Sequence, residues 1–115
     1  MFIAIALIRF DPSTTQEMLE LAAKIEVYLP TEPGCLHSSI ARSVSNENEL
    51  LSVEIFDGIE SFEKHAELIR TDPTISPIIS RWDELKTGLD ATIVEGTPID
   101  ISHIADVEFG QIVDG

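Results

Sequence analysis

Three histidines, one cysteine, one tryptophan and a large excess of carboxylates are the residues of this 115-residue chain with chemical potential. Histidine changes charge near neutral pH, so it is the first place to look for proton transfer. His65 stands out by its position. In "GIESFEKHAELI" the apolar residues Ile59, Phe62, Ala66 and Ile69 recur at helical intervals, and His65 falls on the same face. An imidazole aimed at the buried side of a helix either satisfies a polar group in the core or faces a cavity. In a cavity it can anchor a ligand hydroxyl or move a proton. The residues alone leave both readings open.

The other candidates carry the same ambiguity. His37 lies in an alternating run with Cys35, Ser39 and Ala41, and becomes the next polar group of such a cavity if that face turns inward. His103 stands far along the chain, in the C-terminal segment. The three histidines lack the short spacing of a metal motif, so no metal site is expected. Cys35, being alone, excludes an internal disulfide and CxxC chemistry. Trp82 is in helical phase with Ile78, Ile79 and Leu85, and is either core or the wall of a pocket for a planar ligand. Phe56, Phe62 and Tyr28 are core or pocket lining on the same argument.

These residues need a scaffold, and hydrophobic patterning supplies one. The first strand is apolar on both faces, with Phe2, Ala4, Ala6, Ile8 and Phe10 on one and Ile3, Ile5 and Leu7 before Arg9 on the other. A strand covered on one side only would alternate with polar residues, so the second face must also be buried, by more of the chain or by a second copy. "DPSTTQE" offers two capping boxes, Ser13 with Gln16 and Thr14 with Glu17, ahead of an amphipathic helix through Met18, Leu21, Ala22 and Ile25 that Pro30 ends. A strand over 35–43, a polar hairpin and a third strand "LLSVEIF" follow. In that strand Leu51, Val53 and Ile55 point one way and Ser52, Glu54 and Phe56 the other. Asp57 with Glu60 is expected to cap the helix carrying His65. A further helix starts near Asp72 or at Ser76, with Gly88 as its stop, and a strand runs to about residue 95. Arg9 is expected to pair at the sheet end with Glu54. The order β-α-β-β-α-(α)-β predicts an α+β, ferredoxin-like fold with helices on one face of an antiparallel sheet. Residues 1–96 form the expected domain, and 97–115 a tail or an extra strand that crosses to a partner protomer.

Charge narrows the partners. The formal net charge is −14, from 21 acidic against 7 basic residues. Such a chain repels nucleic acid and anionic membrane surfaces. No apolar run approaches the roughly eighteen residues of a membrane span. The opening "MFIAIALIRF" lacks a basic start and a cleavage pattern, and runs straight into a turn and helix, so a cytoplasmic protein is expected.

Taken in order, the strands and helices, the turn "EPGC" and the run "VEIFDGIESFEKH" resemble the antibiotic biosynthesis monooxygenase domain over residues 1 to about 95. The resemblance implies a homodimeric α/β barrel that binds a small apolar or aromatic molecule between helices and sheet. It also implies oxidation of a small phenolic, quinol-like or polycyclic aromatic molecule without flavin, metal or other cofactor, in which the substrate itself reduces dioxygen. It maps the family's helix histidine onto His65, as base or hydrogen-bond anchor, with His37, Phe56, Phe62, Trp82 and Leu7 as the substrate-binding set. There are departures. The tryptophan often found at the end of strand three is Phe56, the tyrosine often found in strand two falls at Ser38, and the second histidine is missing from "IRTDPTIS". The asparagine of the haem-degrading branch falls on Ala6 or Leu7, so haem binding is not expected. Glu54 sits where the family commonly has glutamate and reads as structural, packing or pairing at the dimer interface. The thinned polar set keeps two other functions in view: a non-catalytic small-molecule-binding or assembly dimer, and an isomerase of the same fold.

Overall fold

The computed structural model describes residues 1–96. His103 and the expected tail or extra strand over 97–115 lie outside the described residues. The elements are β1 (Phe2–Phe10), α1 (Thr15–Tyr28), β2 (Cys35–Arg42), β3 (Glu49–Phe56), α2 (Ile59–Thr71), α3 (Ser76–Leu85) and β4 (Lys86–Glu95). Short 3-10 turns, Pro12–Thr14 and Leu29–Thr31, bracket α1. The four strands form one antiparallel sheet in the order β2-β3-β1-β4, the ferredoxin-like arrangement that the pattern predicts.

The helices cover one face of this sheet. From α1, Met18, Leu21, Ala22 and Ile25 pack against Ile8, Phe10 and Leu50 of the sheet, and Ile75 and Trp82 close the core. Registry fixes which strand residues take part. Phe2, Ala4, Ala6, Ile8 and Phe10 share the helix side with Leu50, Ser52, Glu54 and Phe56, because in a strand alternate residues share a face. The opposite side pairs Ile3 with Ile55, Ile5 with Val53 and Leu7 with Leu51, and no described residue covers it.

Local chemistry differs from expectation at four points. Neither expected capping box forms at α1, because Asp11 takes both the amide and the hydroxyl of Ser13, and Thr14 turns its hydroxyl back to the Asp11 carbonyl. Glu17 is drawn instead to Arg81 of α3. Asp57 does not cap α2; it accepts a hydrogen bond from Ser61, and Gly58 occupies the cap position. Arg9 pairs with Glu49 at 3.3 Å and Asp90 at 2.8 Å, not with Glu54, since Glu54 lies on the other face of the sheet. Gly88 is no helix stop: α3 ends at Leu85 and the chain becomes extended at Lys86, which places Gly88 within β4 opposite Arg9.

Candidate active site

His65 is held between two carboxylates. It sits on the inner face of α2, 7% exposed, as the helical phase requires. Its Nδ1 donates to both oxygens of Glu32, at 2.8 and 3.1 Å, and its Nε2 lies 3.2 Å from Glu54 Oε2. Glu32 follows the 3-10 turn after α1 and is buried, while Glu54 projects from the helix side of β3. Two carboxylates on opposite nitrogens do not converge on one point, as the ligands of a metal must. Accordingly, no metal-holding cluster of His, Cys, Asp and Glu occurs among the described residues.

Burial alone would lower the pKa of His65, because it disfavours the charged ring. The contacts with Glu32 and then Glu54 outweigh it and push the group up to about 9. At neutral pH the ring is therefore an imidazolium, with Nδ1–H bonded to Glu32 and Nε2 within ion-pair distance of Glu54. It is also packed on aromatic rings: the Phe56 ring is 5.0 Å and the Phe62 ring 6.2 Å from it, centre to centre. The nearer distance is within the roughly 6 Å over which a ring face attracts a cation. Cys35 starts β2 on this same side, opposite Phe56. Burial pushes its thiol up, with Glu32 and Glu54 adding to the effect, so it is not an activated nucleophile.

Below this group lies a cavity of about 160 Å³. Ile8, Ile25, Ile75 and Trp82 supply apolar wall, Glu54 and His65 form one polar end, and Asp83 with Lys86 stands on the lining too. Lys86 and Asp83 pair at 2.7 Å. A dry apolar cavity of about 150 Å³ accepts a benzene ring, and drug-sized sites run from roughly 300 Å³ upward, so the space suits one small ring.

A sequence model of the family described as antibiotic biosynthesis monooxygenase matches residues 1–68. The chain belongs to the antibiotic biosynthesis monooxygenase family. Solved structures share the family's fold. A Deinococcus radiodurans protein named for the family is 22% identical, with 88% of this chain and 98% of that one covered at a TM-score of 0.73. Rv0793 from Mycobacterium tuberculosis is 18% identical, over 86% of this chain and 97% of its own, at 0.72. A mutant of SnoaB, a cofactor-independent oxygenase from Streptomyces nogalater, is 11% identical over 86% and 95%, at 0.70. No curated protein matches the chain.

Of the residues that the antibiotic biosynthesis monooxygenase pattern maps onto this chain, the structure brings His65 and Trp82 to one cavity. Phe56 and Phe62 stack beside His65, with Phe2 beyond them, and back the imidazole without lining the cavity. Two expected members of the binding set lie elsewhere. Leu7 alternates with Ala6 and Ile8 and so points to the outer face of the sheet, opposite Leu51. His37 also faces outward, opposite Ile55, because a register shift between Cys35 and His37 moves it off the phase of Cys35. There its Nε2 meets Ser39 Oγ at 3.1 Å. Glu32 is not among the expected site residues, and Glu54 is expected to be structural, packing or pairing at the dimer interface. No motif marks Glu32, but the alternation of β3 puts Glu54 with Phe56 and was a usable signal for its role here.

Proposed function

We propose that the protein is a cofactor-independent monooxygenase acting on a small phenolic or quinol-like molecule, and that it works as a homodimer. One observation carries this reading: an apolar one-ring cavity ends at an imidazolium and a carboxylate that can bind a hydroxyl and take its proton. Trp82 is the flat wall, and His65 anchors the polar end. Membership of the antibiotic biosynthesis monooxygenase family supports the reaction type, and the description of SnoaB as a cofactor-independent oxygenase supports the lack of a helper group.

The chemistry balances without a co-reactant. Loss of the phenolic proton raises the electron density of the ring, which then reduces dioxygen. One oxygen atom bonds to ring carbon, the other leaves as water, and a hydroxyarene with an open para C–H becomes a quinone. The substrate supplies all four electrons.

Oxygen uptake with monocyclic phenols that carry an open para C–H tests the reading. The expected result is one dioxygen consumed per quinone formed, falling by more than tenfold in His65→Ala, because the variant loses the positive charge that stabilises the phenolate. Stabilisation by such compounds with no oxygen uptake would make the protein a binder, and turnover under strict anaerobiosis would make it an isomerase.

The dimer rests on the outer face. Ile3, Ile5, Leu7, Leu51, Val53 and Ile55 make a continuous apolar surface, and Ile5 and Leu51 are 39% and 38% exposed. Apolar patches of this kind mark contact sites. Val53→Asp at its centre is expected to convert a dimer to a monomer in light-scattering chromatography with the helical content retained. A wild-type chain that runs as a monomer at micromolar concentration would remove the dimer from the proposal.

A further inference from the structure

We propose that Glu54 is the catalytic group that takes the substrate proton, and that Glu32 is a positioning residue that fixes His65 between the two. This rests on the oxygenase reading above. It assigns the proton to a side chain that a search for histidines passes over.

The argument starts from the asymmetry of the two carboxylates. The Glu32 side chain is 3% exposed and grips Nδ1 with both oxygens, at 2.8 and 3.1 Å. Its backbone is pinned as well, since its N–H donates to the Leu29 carbonyl and its own carbonyl accepts from Cys35. Glu54 is 20% exposed, lines the cavity, and meets Nε2 through one oxygen at the longer distance of 3.2 Å. Its second oxygen has no hydrogen-bond partner among the described residues. Beside it in register stands Ser38, whose hydroxyl is buried and likewise unpartnered there. A buried polar atom left without a partner is uncommon and calls for one. Of the two, Glu54 lines the cavity, so a ligand hydroxyl at that end would meet the free carboxylate oxygen.

Proton logic points the same way. An imidazolium carries a proton on each nitrogen and has no lone pair to offer, so His65 cannot be the base. A carboxylate is an acceptor only. Among the groups around the ring, Glu32 is occupied and Cys35 is a protonated thiol. Tyr28 donates to Asp72 and is pushed up to about 12 by burial and that bond. Asp83 is paired with Lys86 on α3 and β4. Glu54 is left. In the first step the substrate O–H bond breaks and a Glu54 O–H bond forms. When the second oxygen atom departs, the para C–H bond breaks as the new carbonyl forms; the departing oxygen takes that proton and the one held by Glu54, leaves as water, and the carboxylate is restored. His65, held charged, stabilises the phenolate in between.

Two substitutions and one spectroscopic titration test this. Glu54→Gln keeps the shape but cannot accept a proton, and its kcat for oxidation of a phenol with an open para C–H should fall about a hundredfold. KM and stabilisation by that phenol should change little. Glu54→Asp should recover part of the rate. In Glu32→Gln the ring loses its main charged partner, so the His65 Hε1 resonance in NMR should titrate well below 9, toward 6.5. The alkaline limb of the kcat profile should move down with it, which a merely structural residue would not cause. A Glu54→Gln enzyme as fast as wild type overturns the assignment of Glu54 while leaving the oxygenase reading intact. A wild-type protein that consumes no oxygen overturns both. A His65 resonance unmoved by Glu32→Gln overturns the positioning role by a measurement that needs no substrate.

Discussion

His65→Ala destabilises the protein by about 3–5 kcal/mol, the usual cost of stripping one partner from a buried ion pair. At about 4 °C per kcal/mol for a domain near this size, the melting temperature falls on the order of 12–20 °C. The reason lies in what remains. Glu32 is 6% exposed, and its carboxylate loses the N–H group that both its oxygens accept from. Urea unfolding at pH 6 measures the loss. A change under about 1 kcal/mol would mean that water reaches Glu32 freely, and the buried pair would not survive as a description of this site.

The same substitution has a pH signature of definite sign. Folding raises the pKa of His65 from about 6.5 to about 9. Below pH 6.5 the ring is protonated in folded and unfolded chains alike, and its contribution to stability is fully present. As pH rises, the unfolded chain loses this proton first, and the contribution decays until it is gone above pH 9. Wild-type stability therefore declines between pH 6.5 and 9. His65→Ala removes the part of the slope that belongs to this ring.

How much of this was legible in the sequence can be judged residue by residue. The order of elements was, because each helix and strand carries its own period and the turn residues separate them. The inward aim of His65 followed from Phe62, Ala66 and Ile69 alone. Glu54 was one step away: alternation places it with Ser52 and Phe56, and those face the helix that carries His65. Glu32 was out of reach. It precedes His65 by 33 residues and sits in a turn, where no period marks a buried side chain. Its role exists only after the start of β2 is brought against α2. His37 failed for a related reason, since a single extra residue in β2 reverses which side chains face the core. For Leu7 the alternation of β1 was the better guide than the mapping of family positions.

That approach of β2 to α2 depends on one glycine, and Gly34→Ala is expected to break it. Gly34 has a φ of +81°, the left-handed region that costs other L-residues roughly 1–2 kcal/mol. Space is lacking too. A Cβ there would meet the Ser61 hydroxyl, lie 2.6 Å from Ser61 Cβ and 2.7 Å from Asp57 Oδ1, so the first turn of α2 would have to move. Backbone bonds tie the same spot together: Asp57 N–H donates to the Gly34 carbonyl at 2.9 Å, and Cys35 N–H to the Glu32 carbonyl at 3.2 Å. Conformational strain and the clash together should cost about 3 kcal/mol. Gly58→Ala is the control, because nothing lies within 4 Å of its added methyl and its backbone is extended, and it should cost under about 1 kcal/mol. If the turn is what seats Glu32, Gly34→Ala should also lower the pKa of His65 in an NMR titration while Gly58→Ala leaves it near 9. Equal effects of the two glycine substitutions would mean that Glu32 finds His65 without the turn, and that the clamp between β2 and α2 lies elsewhere.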